Sequence, residues 1–450
     1  MKKQIGLLLV LAISLIAVSG VLAATQPAPV PPGGQLAAYI ARPEPAYQWT
    51  KVGEAQLGPC KVYGLLMTSQ VWRDLPWKHS IYIFVPPKVE FPGHAVLFVT
   101  GGSHEPKVTM NAKDEQFQMG LALASQMGAP MAFLSHVPNE PLFGGLSEDA
   151  IIAYTYQKYV ETGDPTWPLL FPMAKSAVKA MDAVQAFLAQ DAKMKIDHFL
   201  VCGGSKRGWT TWLTAASGDK RVNAIAPMVI DTLNMAAQMP HQLALWGKYS
   251  EMIDDYTKLG IQQKMGSNRG AELLSMVDPY SYRAKLTMPK LLLHGANDPY
   301  WATDAITLYW DGLVGPKAVL YAPNSGHGLD DRIRVMSTLV AYFRSVAGGA
   351  PFPNPVWKHG ETADKLTLRI ESTPAPVGGR LWVASGPTKD FRQCKWTSVP
   401  MTLEGTVLVG ELPKPEAGTN VALFGEADYR ADTRAFTLST APRIYPPASQ

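Results

Sequence analysis

From about residue 40 to 348 the chain alternates short, unbroken apolar runs with longer stretches in which apolar side chains return every three or four positions. Runs at 79–85, 95–100, 131–136, 198–202, 224–230, 290–294 and 318–321 have strand length and are bounded by turn-forming residues. Helical spacing predicts helices at 113–127, 171–190, 209–216 and 330–346. In the second of these Ala177, Met181, Val184 and Leu188 share one face. Strands separated by helices on this scale predict an α/β domain over 37–349, a mostly parallel sheet with helices on both faces. The stretch 231–285 has no clear strand, reads as helical and carries Trp246, Tyr249 and Tyr256. It is the expected helical cap over the carboxyl edge of the sheet.

After Gly349 the texture changes. Residues 351–355 (PFPNP) read as a linker. Beyond them come alternating runs at 366–370, 380–384, 407–412, 421–424 and 435–438, spaced by turn residues. That pattern predicts a small Ig-like β-sandwich domain over 356–446.

The N-terminus suggests a compartment. Lys2 and Lys3 precede an apolar run from Ile5 to Val18 and a small-residue site at Val21-Leu22-Ala23. This predicts a signal peptide over 1–23, cleaved after Ala23, and a secreted or periplasmic protein. An uncleaved anchor is the alternative, although the run is short for a membrane span. Residues 24–36 read as a proline-rich, disordered leader, and no later stretch suggests stable membrane insertion. An apolar share of 47% and a charged share of 17% exclude wholesale disorder. A net charge of +4 with no block of like charge predicts no nucleic-acid partner. Three cysteines permit one bridge at most; Cys202 reads as a buried strand residue, and a Cys60–Cys394 pairing stays open.

Three short segments carry candidate chemistry. In Cys202-Gly203-Gly204-Ser205-Lys206-Arg207-Gly208-Trp209 an apolar strand runs into a glycine-bracketed serine, and a helix leaves at once. A nucleophile elbow has this form, with small neighbours so that strand and helix can pass. Gly203 fits the position two before the serine. Arg207 departs from the small residue wanted two after it, and the glycine follows one later. A phosphate loop is disfavoured, because Trp209 stands where such a loop needs Lys followed by Ser or Thr. In Leu293-His294-Gly295-Ala296-Asn297-Asp298 a strand ends in a turn bearing an acid. In Asn324-Ser325-Gly326-His327-Gly328 a histidine follows a strand and precedes a helix.

Taken singly, Asp298 and His327 are ordinary turn residues. Together, Ser205, Asp298 and His327 stand in α/β-hydrolase order, each in the loop after a sheet strand. The expected roles follow. His327 takes the proton of Ser205 as it attacks a carbonyl, and Asp298 orients and stabilises the imidazole. The oxyanion donors are expected from the backbone N–H of Lys206 and the loop Gly101-Gly102-Ser103. His104-Glu105 is no zinc helix, since Val108 stands where its second histidine is required. No cluster has metal-site spacing, so neither metal nor cofactor is expected.

Several runs carry a family resemblance: Val137-Pro138-Asn139-Glu140-Pro141-Leu142, Ile151-Ile152-Ala153-Tyr154-Thr155, Thr162-Gly163-Asp164 with Trp167-Pro168, Ala180-Met181-Asp182, and Gly203 through Trp212 continuing to Ala226–Asp231. Over roughly 45–440 the chain resembles the PhoPQ-activated pathogenicity-related proteins, a secreted family that includes autocrine proliferation repressors of social amoebae. The resemblance implies an α/β-hydrolase fold. The serine motif is also similar to the G-C-S-R-x-G of glucuronoyl esterases. That likeness implies that Arg207 is tolerated there and that Lys206 adds positive charge near the oxyanion. It also implies Asp231 as the alternative acid to Asp298.

Two functions stay open. One is a secreted serine hydrolase acting on a small-molecule or polymer-derived ester or amide, with ester favoured over peptide because the extra domain follows the hydrolase rather than preceding it. The other is a secreted binding or signalling protein on an idle hydrolase scaffold. A complete Ser-Asp-His set favours the first, because a scaffold needs none.

Overall fold

A computed structural model describes residues 34–103 and 105–446. The expected signal peptide and most of the leader lie outside them. Helix α1 (Gln35–Ile40) opens two residues inside the stretch expected to be leader, because Leu36 and Tyr39 bury against the helix that carries Phe171. The chain then builds β1 (Gln48–Leu57), β2 (Cys60–Trp72), β3 (Leu75–Val85), β4 (Gly93–Val99), α2 (Glu115–Met127) and β5 (Met131–Leu134). Next come α3 (Glu148–Thr162), α4 (Leu170–Asp191), β6 (Ile196–Gly204), α5 (Lys206–Ala216) and β7 (Val222–Met228). The cap helices are α6 (Met235–Trp246), α7 (Asp254–Lys258), α8 (Ile261–Lys264) and α9 (Asn268–Val277), followed by β8 (Lys290–Gly295), β9 (Lys317–Ala322) and α10 (Arg332–Gly348).

Nine strands form one sheet in the order β1-β2-β3-β5-β4-β6-β7-β8-β9. The pairs from β5 to β9 are parallel and the first three strands are added antiparallel. The reversal at β5-β4, with the serine loop leaving β6 beside it, is the α/β-hydrolase arrangement. Alternation along β6 feeds both faces. Phe199 and Val201 join the layer of α4 and α5, while Leu200 and Cys202 join the layer of α2 and α10.

The C-terminal strands are β10 (Val356–Glu361), β11 (Lys365–Glu371), β12 (Gly378–Gly386), β13 (Thr397–Pro400), β14 (Thr402–Glu404), β15 (Val407–Pro413), β16 (Asn420–Ala431), β17 (Arg434–Ser439) and β18 (Arg443–Tyr445). They form two antiparallel sheets, β10-β11-β15-β14 and β13-β12-β16-β17, with β18 beside β16. The sheets face each other so closely that a Cβ on Gly425 would lie 2.5 Å from the Ile370 side chain. This unit docks on the α/β domain through β17, where the Ser439 hydroxyl accepts the N–H of Tyr321 at 2.9 Å. All three cysteines are free: Cys60 is buried against α2, and Cys394 lies in the C-terminal unit. No helix among the described residues is long and apolar enough to cross a membrane.

Candidate active site

The chain leaves β6 through Gly203 and Gly204 and enters α5 directly. Ser205, between the strand and the helix, has φ 56° and ψ −125°, a conformation that non-glycine residues rarely adopt and that an elbow imposes. Its N–H donates to Met228 O at 2.9 Å, which ties the turn to β7. A Cβ on Gly203 would lie 2.9 Å from Val99 O, and one on Gly208 2.8 Å from Met228 O. The close approach of helix and strand therefore falls at Gly208, and position 207 is free to carry a long side chain. Lys206 opens α5, so its N–H has no partner within the helix and stands at the positive end of the helix dipole.

The acid and the histidine come from the loops after β8 and β9. Gly295 closes the distance between them: a Cβ there would lie 2.3 Å from Gly326 O and 2.4 Å from Ser325 O. The Asn297 N–H donates to Ser325 O at 3.0 Å. Across this contact His327 Nδ1 meets Asp298 Oδ2 at 2.8 Å, and Asp298 Oδ1 accepts the Tyr300 N–H at 2.9 Å. Asp298 is buried, His327 is a quarter exposed, and its ring lies against Tyr300 with centroids 4.3 Å apart. His327 Nε2 is buried without a hydrogen-bond partner, so a hydrogen bond from Ser205 is not made in this arrangement. Asp231, the alternative acid, does not reach the histidine. Its oxygens accept the hydroxyls of Tyr309 and Tyr321 at 2.5 and 2.7 Å, and burial raises its pKa.

The two loops are held from outside by the C-terminal unit. The Asn297 amide donates to the carbonyls of Phe391, Arg392 and Cys394 at 3.3, 3.2 and 2.8 Å. Asn324 makes a reciprocal pair with the backbone of Trp396, donating at 3.0 Å and accepting at 2.8 Å. From the same segment Arg392 reaches Glu251 of the cap at 3.1 Å and covers the Trp246 ring at 4.0 Å. Local sequence assigns no role to Asn297 or Asn324, whose partners lie more than seventy residues away.

The expected oxyanion loop runs from β4 through Gly101, Gly102 and Ser103; His104 lies outside the described residues. Gly102 has φ 135°, and a Cβ on it would lie 2.7 Å from His136 Nδ1. A Cβ on Gly101 would lie 2.3 Å from the Arg207 guanidinium. Arg207 is thus a strut beneath this loop. Its Nε donates to Val137 O at 2.6 Å, and its two terminal nitrogens hold Glu148 at 2.8 and 2.9 Å. Burial alone would raise the Glu148 pKa, but the Arg207 and Lys206 charges outweigh it and hold the carboxyl at about 2. The Lys206 side chain differs from expectation. Its Nζ sits 2.9 Å from Asp149 and 3.0 Å from Glu148, so its charge is already paired.

Ser205 and Lys206 lie in the wall of a cavity of about 410 Å³ under the cap. The cap supplies Tyr249 and Tyr256 to it, whereas Trp246 faces Arg392. Helix α3 also contributes, through Asp149 and Tyr156. Trp209 lines the cavity with its indole N–H bound to Val277 O at 2.6 Å, and Trp212 is core.

The model of the PhoPQ-activated pathogenicity-related proteins matches residues 36–392. Autocrine proliferation repressor protein A of Dictyostelium discoideum is 31% identical over 427 residues, covering 87% of this chain and 85% of its own. Among solved structures, an acetyl xylan esterase from Paenibacillus sp. R4 is similar at 15% identity and a TM-score of 0.48, covering 69% of this chain and 92% of its own. A glucuronoyl esterase from Solibacter usitatus is similar at 12% identity and a TM-score of 0.38, covering 70% and 91%.

Proposed function

The chain belongs to the PhoPQ-activated pathogenicity-related protein family, and on that premise we propose that it is an exported serine hydrolase, secreted or periplasmic, that cleaves a carboxylic ester through Ser205, His327 and Asp298. The observation that carries this reading is an imidazole with Nδ1 on a buried carboxylate and Nε2 unengaged, on the same sheet edge as a serine in an elbow.

Serine hydroxyl is a poor nucleophile at neutral pH, so its proton must pass to His327 Nε2 as Oγ bonds to the carbonyl carbon. Asp298 stabilises the imidazolium that results. The oxyanion is received by the Lys206 N–H and the Gly101–Ser103 loop, aided by the helix dipole. Collapse breaks the bond to the alcohol, which leaves with the histidine proton. Water then repeats the sequence on the acyl-enzyme and frees the acid. The missing Ser205–His327 hydrogen bond is compatible with this, since such bonds commonly tighten only when substrate is present.

A fluorophosphonate probe tests the proposal. Ser205 should be labelled, and Ser205→Ala and His327→Ala should each abolish labelling while keeping the native circular-dichroism spectrum. The second reading, a binding or signalling protein, draws on the amoebal relative, which is named for repressing proliferation. A folded protein that resists the probe and hydrolyses no ester would favour it.

A further inference from the structure

The cavity beside Ser205 carries information about what the enzyme would accept. Met235, Met239 and Leu243 of α6, with Ile261 and Met265 around α8 and Leu274 of α9, give it apolar walls. Methionine side chains also adapt to ligands of varied shape.

Its charged groups are spent on each other. Lys206 is the one cation among the described lining residues, and it is held by both Asp149 and Glu148. Asp149 Oδ1 accepts the Tyr256 hydroxyl at 2.9 Å, and the Tyr300 hydroxyl approaches Oδ2, the oxygen that Lys206 holds, at 3.5 Å. An anionic ligand would therefore find no unpaired cation. A sugar would bury more hydroxyls than these mostly apolar walls can answer. Among the lining residues the Tyr156 hydroxyl, Thr232 Oγ1, Gln262 Oε1 and Trp301 Nε1 are buried without partners, which allows for a few scattered polar groups on a ligand within an otherwise apolar wall.

The cavity also has a direction. It includes Ser205 and Lys206, the nucleophile and the residue whose N–H meets the oxyanion, but His327 is absent from its lining. The leaving alcohol must lie beside His327 Nε2 to collect its proton, so the space away from the histidine belongs to the acyl group. We propose that the preferred substrates are esters of neutral, apolar acids, medium-chain or aryl, with the acyl group housed under the cap. Acetyl would leave most of the space empty. The inference rests on Ser205 being the nucleophile.

The test is a series of p-nitrophenyl esters given to the full-length protein. Each buried methylene adds about fourfold in binding, so kcat/KM should rise at least roughly a hundredfold from acetate to octanoate. Lengthening the alcohol of an acetate ester should change it little. Met239→Trp, which fills the cavity, should cut the octanoate-to-acetate ratio at least tenfold. If the probe labels Ser205 yet acetate is cleaved as well as octanoate, the acyl assignment is wrong while the serine reaction survives. If no ester is cleaved and no label is taken up, the serine reading fails. The cavity is then judged by methyl octanoate binding to Ser205→Ala, followed by tryptophan fluorescence. A saturable change shows that the cavity takes apolar chains even though the serine reaction is lost, and its absence overturns the apolar-site assignment as well.

Discussion

The serine elbow and the acid–histidine pair meet at one sheet edge but are stabilised in opposite ways. The elbow is local. Its conformation depends on Gly203 and Gly208 closing against the ends of β4, β6 and β7, and its residues are consecutive. The acid–histidine pair joins two loops 29 residues apart, pressed together at Gly295 and held from beyond by the segment around 391–396. The C-terminal unit therefore touches the loops of two of the three proposed catalytic residues, and in that proposal it would set where they stand while supplying no reacting group.

Breaking each half separately sharpens the contrast. The largest effect is expected from Gly208→Val, which drives a branched side chain into Met228 O. Overpacking of this kind costs about 1–3 kcal/mol at ordinary core sites, and backbone on the facing side leaves little room to yield. Loss of soluble, cooperatively melting protein would be the readout. Next comes Asp298→Asn, expected to lower kcat about ten-thousandfold with the fold retained. Asp231→Asn should cost less than tenfold. Equal losses from the two would mean that the acid has been misassigned.

Loosening the outer brace should do less. The double change Asn297→Ala and Asn324→Ala is expected to reduce kcat roughly ten- to a hundredfold, in line with small displacements of positioned groups, with KM nearly held. If KM rises and kcat stays, the contacts serve binding instead. The smallest effect concerns acid stability on the elbow side. A carboxyl held near 2 in the folded chain contributes stability that is fully present above its unfolded value of about 4.3. That contribution is lost as pH falls through the folded value. Urea midpoints of wild type and Glu148→Gln should therefore differ most above about pH 5 and converge toward pH 2.

The contrast also explains what could be read from the sequence. The core strands from β3 to β9 announce themselves as apolar runs because both faces of each are covered. The elbow is legible because its constraint lies within six consecutive residues. Helix α3 escapes such a reading. Ile151, Ile152, Ala153, Thr155, Tyr156 and Tyr159 are all buried, with the cap helices α7, α8 and α9 packed against α3, so no single apolar stripe marks it. Asp149, beside the cavity, goes unnoticed with it. Strand β1 is an edge whose positions are all exposed or half-exposed, so no apolar run marks it. The roles of Asn297, Asn324 and Arg392 depend on a docking that no local pattern encodes. Lys206 was legible as a position, but the neutralisation of its charge required knowing where α3 lies.

The brace has a consequence for the order of events on the ribosome. The carbonyls that hold Asn297 are translated 94 to 97 residues after it. A chain long enough to form the elbow, the cap and both candidate loops still lacks the clasp that holds the His327 loop. Under the proposed function, full reactivity would wait until this segment has been made, and a messenger truncated before it would yield a nucleophile with an unsteady base.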